Sequence, residues 1–322
     1  MMSDNNNGLY NNDRKRIFIG LVERKWKNMD QYQIRNMFEI VSEKERELDK
    51  DVSEWSKEEI LDFLSEYDGT EDMLNLIRYT MRMYTSEMKA AGLTKSNNWD
   101  DISSDEIFSC VSSDLKSMYP TRDQLLQRIR VFTNYSDKFL LLGSFEGIGA
   151  YGVKNHEFLS AKLSEIDLEK KMITLHYNNE ETRTIDISDE LISIAIHAEQ
   201  EYVYNQNETN IIWQNTPDYI VKRQRLKNSD IYQASPEDKY AVHLMRRISN
   251  AILLAGFPKR MKASDLRKAG CMDMVKKLLD QDVPRQEVLP RGSKYRDEII
   301  NKYGFQIVKF KNKFWRMYDE VY

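Results

Sequence analysis

Few groups in this 322-residue chain have the type and spacing for chemistry, and most of those few are better explained by packing. Gly147-Ile-Gly149-Ala-Tyr-Gly152 has the glycine spacing of a phosphate-cradling loop. It follows an apolar run, Phe139 to Phe145, that reads as a helix rather than a strand, and no dinucleotide-binding half follows it, so a nucleotide site is rejected. Cys110 and Cys271 stand far apart among four scattered histidines, which gives no zinc spacing and no cofactor expectation. The 18 tyrosines are typical amphipathic packing residues, and Tyr318 and Tyr322 near the end are explained as well by packing against Trp315 as by nucleophilic chemistry.

What remains is the chemistry of many positive charges, the neutralisation of phosphate. The net charge of −4 hides a strongly uneven distribution. Arg14 to Lys27 holds six basic residues against one acidic, and Glu43 to Asp72 holds thirteen acidic against four basic. Lys239 to Arg316 holds nineteen basic against seven acidic, for which a polyanion is the simplest partner. No stretch approaches 18 consecutive apolar residues and the first residues lack an apolar signal core, so neither secretion nor a membrane partner is expected.

The elements that must position these charges are mostly helical. With 41% apolar residues the chain has material for two domains. Residues 1–13 read as a disordered lead, 14–98 as a helical domain, 99–120 as a linker and 121–322 as a second domain. Ser56 with Glu59 has capping-box spacing before Ile60, Leu61, Phe63 and Leu64. Asp68-Gly69 ends that helix, and Thr70 caps a longer one that stops at Gly92 and carries Arg78, Arg82 and Lys89 on its remaining surface. Thr121 and Ser188 are further caps, and helices are expected over 236–255 and over 264–281, the latter capped by Ser264. Met172–Tyr177 and Thr182–Ile187 read as an antiparallel hairpin around Asn178-Asn-Glu-Glu181. The aromatic and β-branched tail from Ile307 to Met317 reads as a final hairpin or a strand with a packed extension. The fold class is therefore mainly α with a small antiparallel β-sheet.

Gly152-Val-Lys-Asn-His-Glu157-Phe-Leu-Ser-Ala-Lys-Leu-Ser-Glu165-Ile-Asp167 resembles, without a gap, the first catalytic box of tyrosine recombinases and phage integrases. That box reads Gly-Leu-Arg-x-x-Glu, then apolar positions, then Asp-Ile-Asp, and runs into a small sheet. Ser264-Asp-Leu-Arg267 is similar to the family's His-x-x-Arg box, and the part with Asp62-Phe-Leu64 and Ala91-Gly92 resembles its helical core-binding domain. The resemblance covers roughly residues 15–281 and implies a two-domain recombinase-like fold: a core-binding domain followed by a catalytic-like one.

The departures from that pattern imply a binder rather than an enzyme. Lys154 stands where the family has its first arginine, and it lacks the rigid bidentate fork. Ser264 replaces the histidine and offers no comparable base near neutral pH. No histidine follows His243, so the late Leu-Gly-His motif is absent, and the hairpin turn shows Asn178 and Asn179 instead of a lysine. Arg267 alone keeps its family type. No catalytic residue is therefore assigned.

Within binders of this shape, the chain resembles the integrase-like repressors that maintain lysogeny in SPbeta-type Bacillus phages. This implies a double-stranded DNA-binding transcriptional repressor at operator-like sites, cytoplasmic and nucleoid-associated in a bacterial host, with room for self-association and for a peptide or protein antirepressor. An active or specialised tyrosine recombinase and a structural or protein-interaction module are the competing readings. The DNA-facing candidates are Arg78, Arg82 and Lys89 on one side, with the Arg14–Lys27 arm, and Lys154, Arg183, Arg223, Arg225, Lys259, Arg260, Lys262 and Arg267 on the other. Most of these would neutralise phosphate, which supplies affinity without sequence choice.

Overall fold

The computed structural model describes residues 9–25, 30–112, 115–152, 155–177, 181–206, 209–212, 218–222, 236–309 and 311–322. The chain forms two compact units, Met1–Asp114 and Leu115–Tyr322. No described helix is long and apolar enough to cross a membrane.

The first unit is helical: α1 (Asn12–Lys25), α2 (Gln31–Leu48), α3 (Lys57–Glu66), α4 (Glu71–Ala90) and α5 (Ser104–Ser112), with 3-10 turns at Val52–Glu54 and Asn98–Asp101. The expected caps form. Ser56 and Glu59 close both halves of a capping box on α3, and the Thr70 hydroxyl accepts from Met73 N–H on α4. Along α4, Leu74, Ile77, Met81, Tyr84 and Met88 recur at three- and four-residue steps and are buried, each worth about 1.5–3 kcal/mol of apolar burial. Phe18, Phe38 and Tyr84 meet edge to face with centroids 5.0–5.9 Å apart. Trp99 buries its ring and donates its indole N–H to Val52 O at 3.1 Å.

Two expectations for this unit are corrected. Within the part read as a disordered lead, Leu9 is buried and Asn11 donates to Asp51 Oδ2 at 2.9 Å just before α1 begins, while residues 1–8 lie outside the described residues. The supposed linker from 99 to 120 contains the 3-10 turn and α5, which pack on α3 and α4 because Trp99, Ile102, Ile107, Phe108 and Val111 are apolar enough to be drawn into the core. The basic arm is also not wholly solvent-facing: Lys15, 0% exposed, donates to Glu45 and to Tyr10 O.

The second unit runs α6 (Leu115–Met118), α7 (Arg122–Ile129), α8 (Tyr135–Phe145), α9 (His156–Ser160), β1 (Ile166–Asp167), β2 (Met172–His176), β3 (Thr182–Asp186), α10 (Asp189–Glu199), β4 (Val203–Gln206), β5 (Thr209–Ile212), α11 (Pro236–Leu254), α12 (Ala263–Asp280), α13 (Arg285–Val288), α14 (Lys294–Tyr303), α15 (Phe305–Val308) and α16 (Lys311–Val321). From Phe139 to Phe145 α8 is buried on all sides, and it packs against α7, α10, α11 and α12, which makes it the central helix. Its first turn is closed from a distance: the Glu201 carboxylate accepts from Tyr135 N–H, from Ser136 N–H at 3.0 Å and from the Ser136 hydroxyl at 2.6 Å.

β1, β2 and β3 form an antiparallel sheet in that order, with Ile173 opposite Ile185 and Leu175 opposite Arg183. Along β3, Arg183 and Ile185 face inward while Thr182, Thr184 and Asp186 face out. The expected hairpin thus forms, although its turn at 178–180 lies outside the described residues. The tail is corrected: it falls in α15 and α16, because Phe314, Trp315, Met317 and Tyr318 repeat with helical spacing and this outweighs their β-favouring types. The cap of α12 is also corrected. Lys262 is the N-cap and Ser264 lies inside the first turn, where Asp265 Oδ2 accepts from Lys262 N–H at 3.0 Å.

Candidate nucleic-acid interface

The turn after α8, the start of α9 and β3 meet around one carboxylate. Glu157, on α9, is 0% exposed, and its Oε2 accepts from Gly149 N–H at 2.6 Å and Ala150 N–H at 3.1 Å. A buried carboxylate needs such partners, and the strongest comes from β3. Arg183 grips Glu157 with Nε at 2.6 Å and Nη2 at 2.8 Å. Its remaining N–H groups go to Gly147 O at 2.7 Å, Asn301 O at 2.5 Å and Lys302 O at 2.9 Å, and its guanidinium lies over the Tyr151 ring.

All five N–H donors of Arg183 are thus occupied by protein acceptors, and the residue is only 8% exposed. Its place among the DNA-facing candidates is corrected: it ties the turn, α9, β3 and α14 together and has no donor left for phosphate. Lys222 is likewise buried and paired with Glu199.

Arg267 is the opposite case. It stands in the second turn of α12 with its Nη1 buried and without an acceptor among the described residues. That nitrogen lies beside Gly149, close enough that a Cβ there would sit 3.2 Å from it and 2.9 Å from the Phe158 ring; Gly149 also holds φ +81°, a conformation that L side chains rarely adopt. Burial pulls the Arg267 pKa below its usual value, opposed by the carboxylates of Glu157 and Asp265 and reinforced by the Arg183 cation. A guanidinium this enclosed and unpaired favours an anion.

Lys262 and Lys259 are exposed on the loop that leads into α12, and Arg260 between them is half-buried. Arg128 fixes the start of that loop by donating to Gly256 O at 2.6 Å and stacking on Phe257. The structure therefore brings Lys262, Ser264 and Arg267 together on one helix start. Lys154, Arg223 and Arg225 lie outside the described residues.

The basic excess of this unit is smaller in space than in sequence. Arg247 pairs with Asp137, Lys302 with Asp186, Arg285 with Asp319, Lys268 with Asp265, Lys276 with Asp280 and Lys277 with Asp273. Three of those carboxylates come from outside the 239–316 stretch and are invisible to a local count.

On the first unit, Arg78, Arg82 and Lys89 share one face of α4, as the spacing predicts. Arg78 Nη1 donates to Ile102 O at 2.8 Å, Arg82 Nε donates to Asp100 Oδ1, and Lys89 is exposed. Asp100, 18 residues from Arg82, was not singled out by sequence reasoning; the only sequence signal was its place in the polar stretch Thr94–Asp101.

Tyr318 is 8% exposed and packs in an aromatic cluster, stacked on Phe314, edge-on to Trp315 with centroids 5.6 Å apart, and against Tyr322. Burial raises the pKa of its phenol, which disfavours the phenolate.

Comparison with known families matches residues 119–318 to the domain described as MrpR, C-terminal catalytic domain, and residues 9–86 to MrpR, N-terminal core-binding domain. The chain belongs to the MrpR family. The SPbeta prophage-derived uncharacterized protein YopR of Bacillus subtilis (strain 168) is similar to it, 26% identical over 219 residues. The match covers 63% of this chain and 65% of that relative, so the chain spans a little under two thirds of the relative's length. Among solved structures, XerA recombinase aligns over 97% of this chain and 94% of its own at 13% identity and TM-score 0.37. A lambda integrase dimer bound to a COC' core site aligns over 96% and 95% at 11% identity and TM-score 0.45.

The order of the MrpR domains is that of the tyrosine-recombinase plan, a core-binding domain before a catalytic one. In this member the cleavage set is incomplete, with Lys154 and Ser264 in place of the arginine and histidine and no histidine after His243.

Proposed function

We propose that the chain is a sequence-specific, double-stranded DNA-binding repressor that maintains phage lysogeny by occupying operator-like sites and does not cleave the duplex. One observation carries the reading most: the only arginine of family type in the second box, Arg267, offers a buried guanidinium with no acceptor among the described residues, beside Gly149. Such a group holds a phosphate well. Cleavage would also require a proton-transfer partner and an activated nucleophile; Ser264 stands in place of the histidine, and of the two tyrosines near the end Tyr318 is packed while Tyr322 is partly exposed, with burial raising the phenol pKa of both. Membership of the MrpR family and likeness to a prophage protein support the phage context.

Each unit contributes its own DNA-facing surface: Arg78, Arg82 and Lys89 from the first, and Lys154, Arg223, Arg225, Lys259, Arg260, Lys262 and Arg267 from the second. Retention of a selected duplex against excess random competitor tests the binding. A preference of about 10³-fold or more over random duplex is expected of a specific binder. Affinity that never exceeds that for random duplex overturns the repressor reading, and a covalent 3′-phosphotyrosyl product overturns the absence of cleavage.

A further inference from the structure

The exposed face of α4 differs in charge from the segment that precedes it. From residue 75 to 90 it presents Asn75, Arg78, Tyr79, Arg82, Ser86 and Lys89 with one carboxylate, Glu87, although the preceding segment from Glu43 to Asp72 is strongly acidic. At 1.5 Å per residue this face is about 22 Å long, enough to follow a DNA groove. Side chains that donate and accept hydrogen bonds, rather than lysines alone, make up most of it.

Arg82 is held in a way that phosphate binding does not need. Its Nε donates to Asp100 Oδ1, and its two terminal nitrogens have no partner among the described residues. Asp100 is itself fixed: its N–H donates to Asn97 O at 3.0 Å, and the neighbouring Trp99 is anchored in the core through Val52 O. Asn97 in turn donates to Arg82 O at 3.1 Å and to Ser86 Oγ at 2.9 Å, so the turn that carries Asp100 is tied to α4 at Arg82 and one turn beyond it.

A phosphate presents oxygens over a wide range of directions, and a flexible arginine reaches it unaided. A base edge presents two acceptors in one plane, which rewards a guanidinium whose orientation is already set. A carboxylate beside a polyanion also weakens attraction to every sequence alike, so its position next to Arg82 favours orientation over affinity.

We propose that Arg82, oriented by Asp100, is a specificity-determining residue that reads a guanine through its two terminal nitrogens in the major groove of the bound duplex. The inference rests on the reading of the chain as a sequence-specific duplex binder.

Selection of bound sequences from a random duplex library, using the full chain, tests it. The unaltered protein should return a consensus with a guanine that Arg82→Lys flattens by roughly 5- to 150-fold in preference at that base pair. Asp100→Ala should relax the same base pair and no other, while binding to random duplex becomes tighter because a negative charge has been removed. Both positions are half-exposed, at 51% and 45%, and circular dichroism and thermal melting check that the variants fold. If Arg82→Lys leaves every base preference intact and only lowers affinity uniformly, Arg82 is a phosphate contact and the inference is overturned with the repressor reading standing. If the unaltered protein returns no consensus, both are overturned.

Discussion

Arg267→Met separates a ligand-binding arginine from a structural one, because the two roles predict opposite signs. Methionine keeps most of the side-chain volume in the niche beside Gly149 and removes only the charge. In the free protein the guanidinium has a buried nitrogen without an acceptor among the described residues, and burial depresses its pKa despite Glu157 and Asp265 nearby. Removing a charge that is buried and unpaired relieves a desolvation penalty, so the variant should be more stable by about 1–2 kcal/mol. For a unit of about 200 residues that is a rise in Tm of roughly 2–8 °C.

Binding should move the other way. Charge-assisted hydrogen bonds from one guanidinium to a phosphate contribute about 1.5–3 kcal/mol, which makes Kd about 10- to 150-fold weaker. The slope of log K against log salt should become shallower by about 0.9 for the one lost phosphate. Thermal unfolding without DNA and fluorescence anisotropy with a selected duplex at several salt concentrations give both signs. A variant with lower Tm and an unchanged Kd and salt slope would refute the reasoning, since it would place Arg267 with Arg183 among the structural ties.

Other expectations follow from the same geometry. Glu157→Gln leaves the buried Arg183 cation without its counter-ion and should cost about 3–5 kcal/mol, seen as a large drop in Tm of the second unit; a drop under 1 kcal/mol would contradict the central role of that pair. Burial pushes the Asp51 carboxyl up, but donors from Ser53 and Asn11 outweigh it and hold the pKa below its ordinary 3.8. Its stabilisation is therefore complete above pH 3.8 and lost as pH falls through the lower folded value. The stability gap between the unaltered protein and Asp51→Asn should accordingly shrink as pH falls through and below about 4, as read by denaturant titration; a constant gap would show that Asp51 keeps its ordinary value. Tyr318→Phe should leave duplex affinity within about twofold, with no covalent adduct from either protein on a nicked duplex, whereas an adduct made by the unaltered protein and lost in the variant would make Tyr318 a working nucleophile.

Local chemistry was legible in the sequence wherever neighbours along the chain decide the outcome. The capping box at Ser56 and Glu59 and the caps at Thr70, Thr121 and Ser188 all depend on side chains within a few positions of the backbone they serve, and the pairing of β2 with β3 follows from two strand-like runs close in sequence. The tail was misread because its residue types favour strands while its three- and four-residue spacing gives a helix, and spacing governs which side chains can share a core. The segment taken as a linker failed for a related reason: its polar start hides Trp99, which is drawn inward 47 residues from its partner Val52.

Arg183 shows why the interface was harder to read than the fold. Alternation along Thr182-Arg-Thr-Ile-Asp186 places Arg183 on the face of Ile185, so strand period alone argued that this arginine points inward. A count of positive charges carries no such direction. In space, carboxylates from distant segments, Asp137, Asp186 and Asp319, neutralise arginines and lysines that look unopposed along the chain.

The separation between framework and function within the recombinase-like boxes follows from this. Glu157, Arg183 and the Gly147–Gly149 backbone form a closed set in which every strong donor of the arginine has a protein acceptor, so they persist whether or not the pocket performs chemistry. Ser264 and the missing late histidine belong to the part that only cleavage requires. Arg267 belongs to neither group: no described acceptor holds it and no proton-transfer partner accompanies it. A phosphate that is bound and left intact satisfies both conditions, which is the physical difference between a clamp on DNA and an enzyme that cuts it.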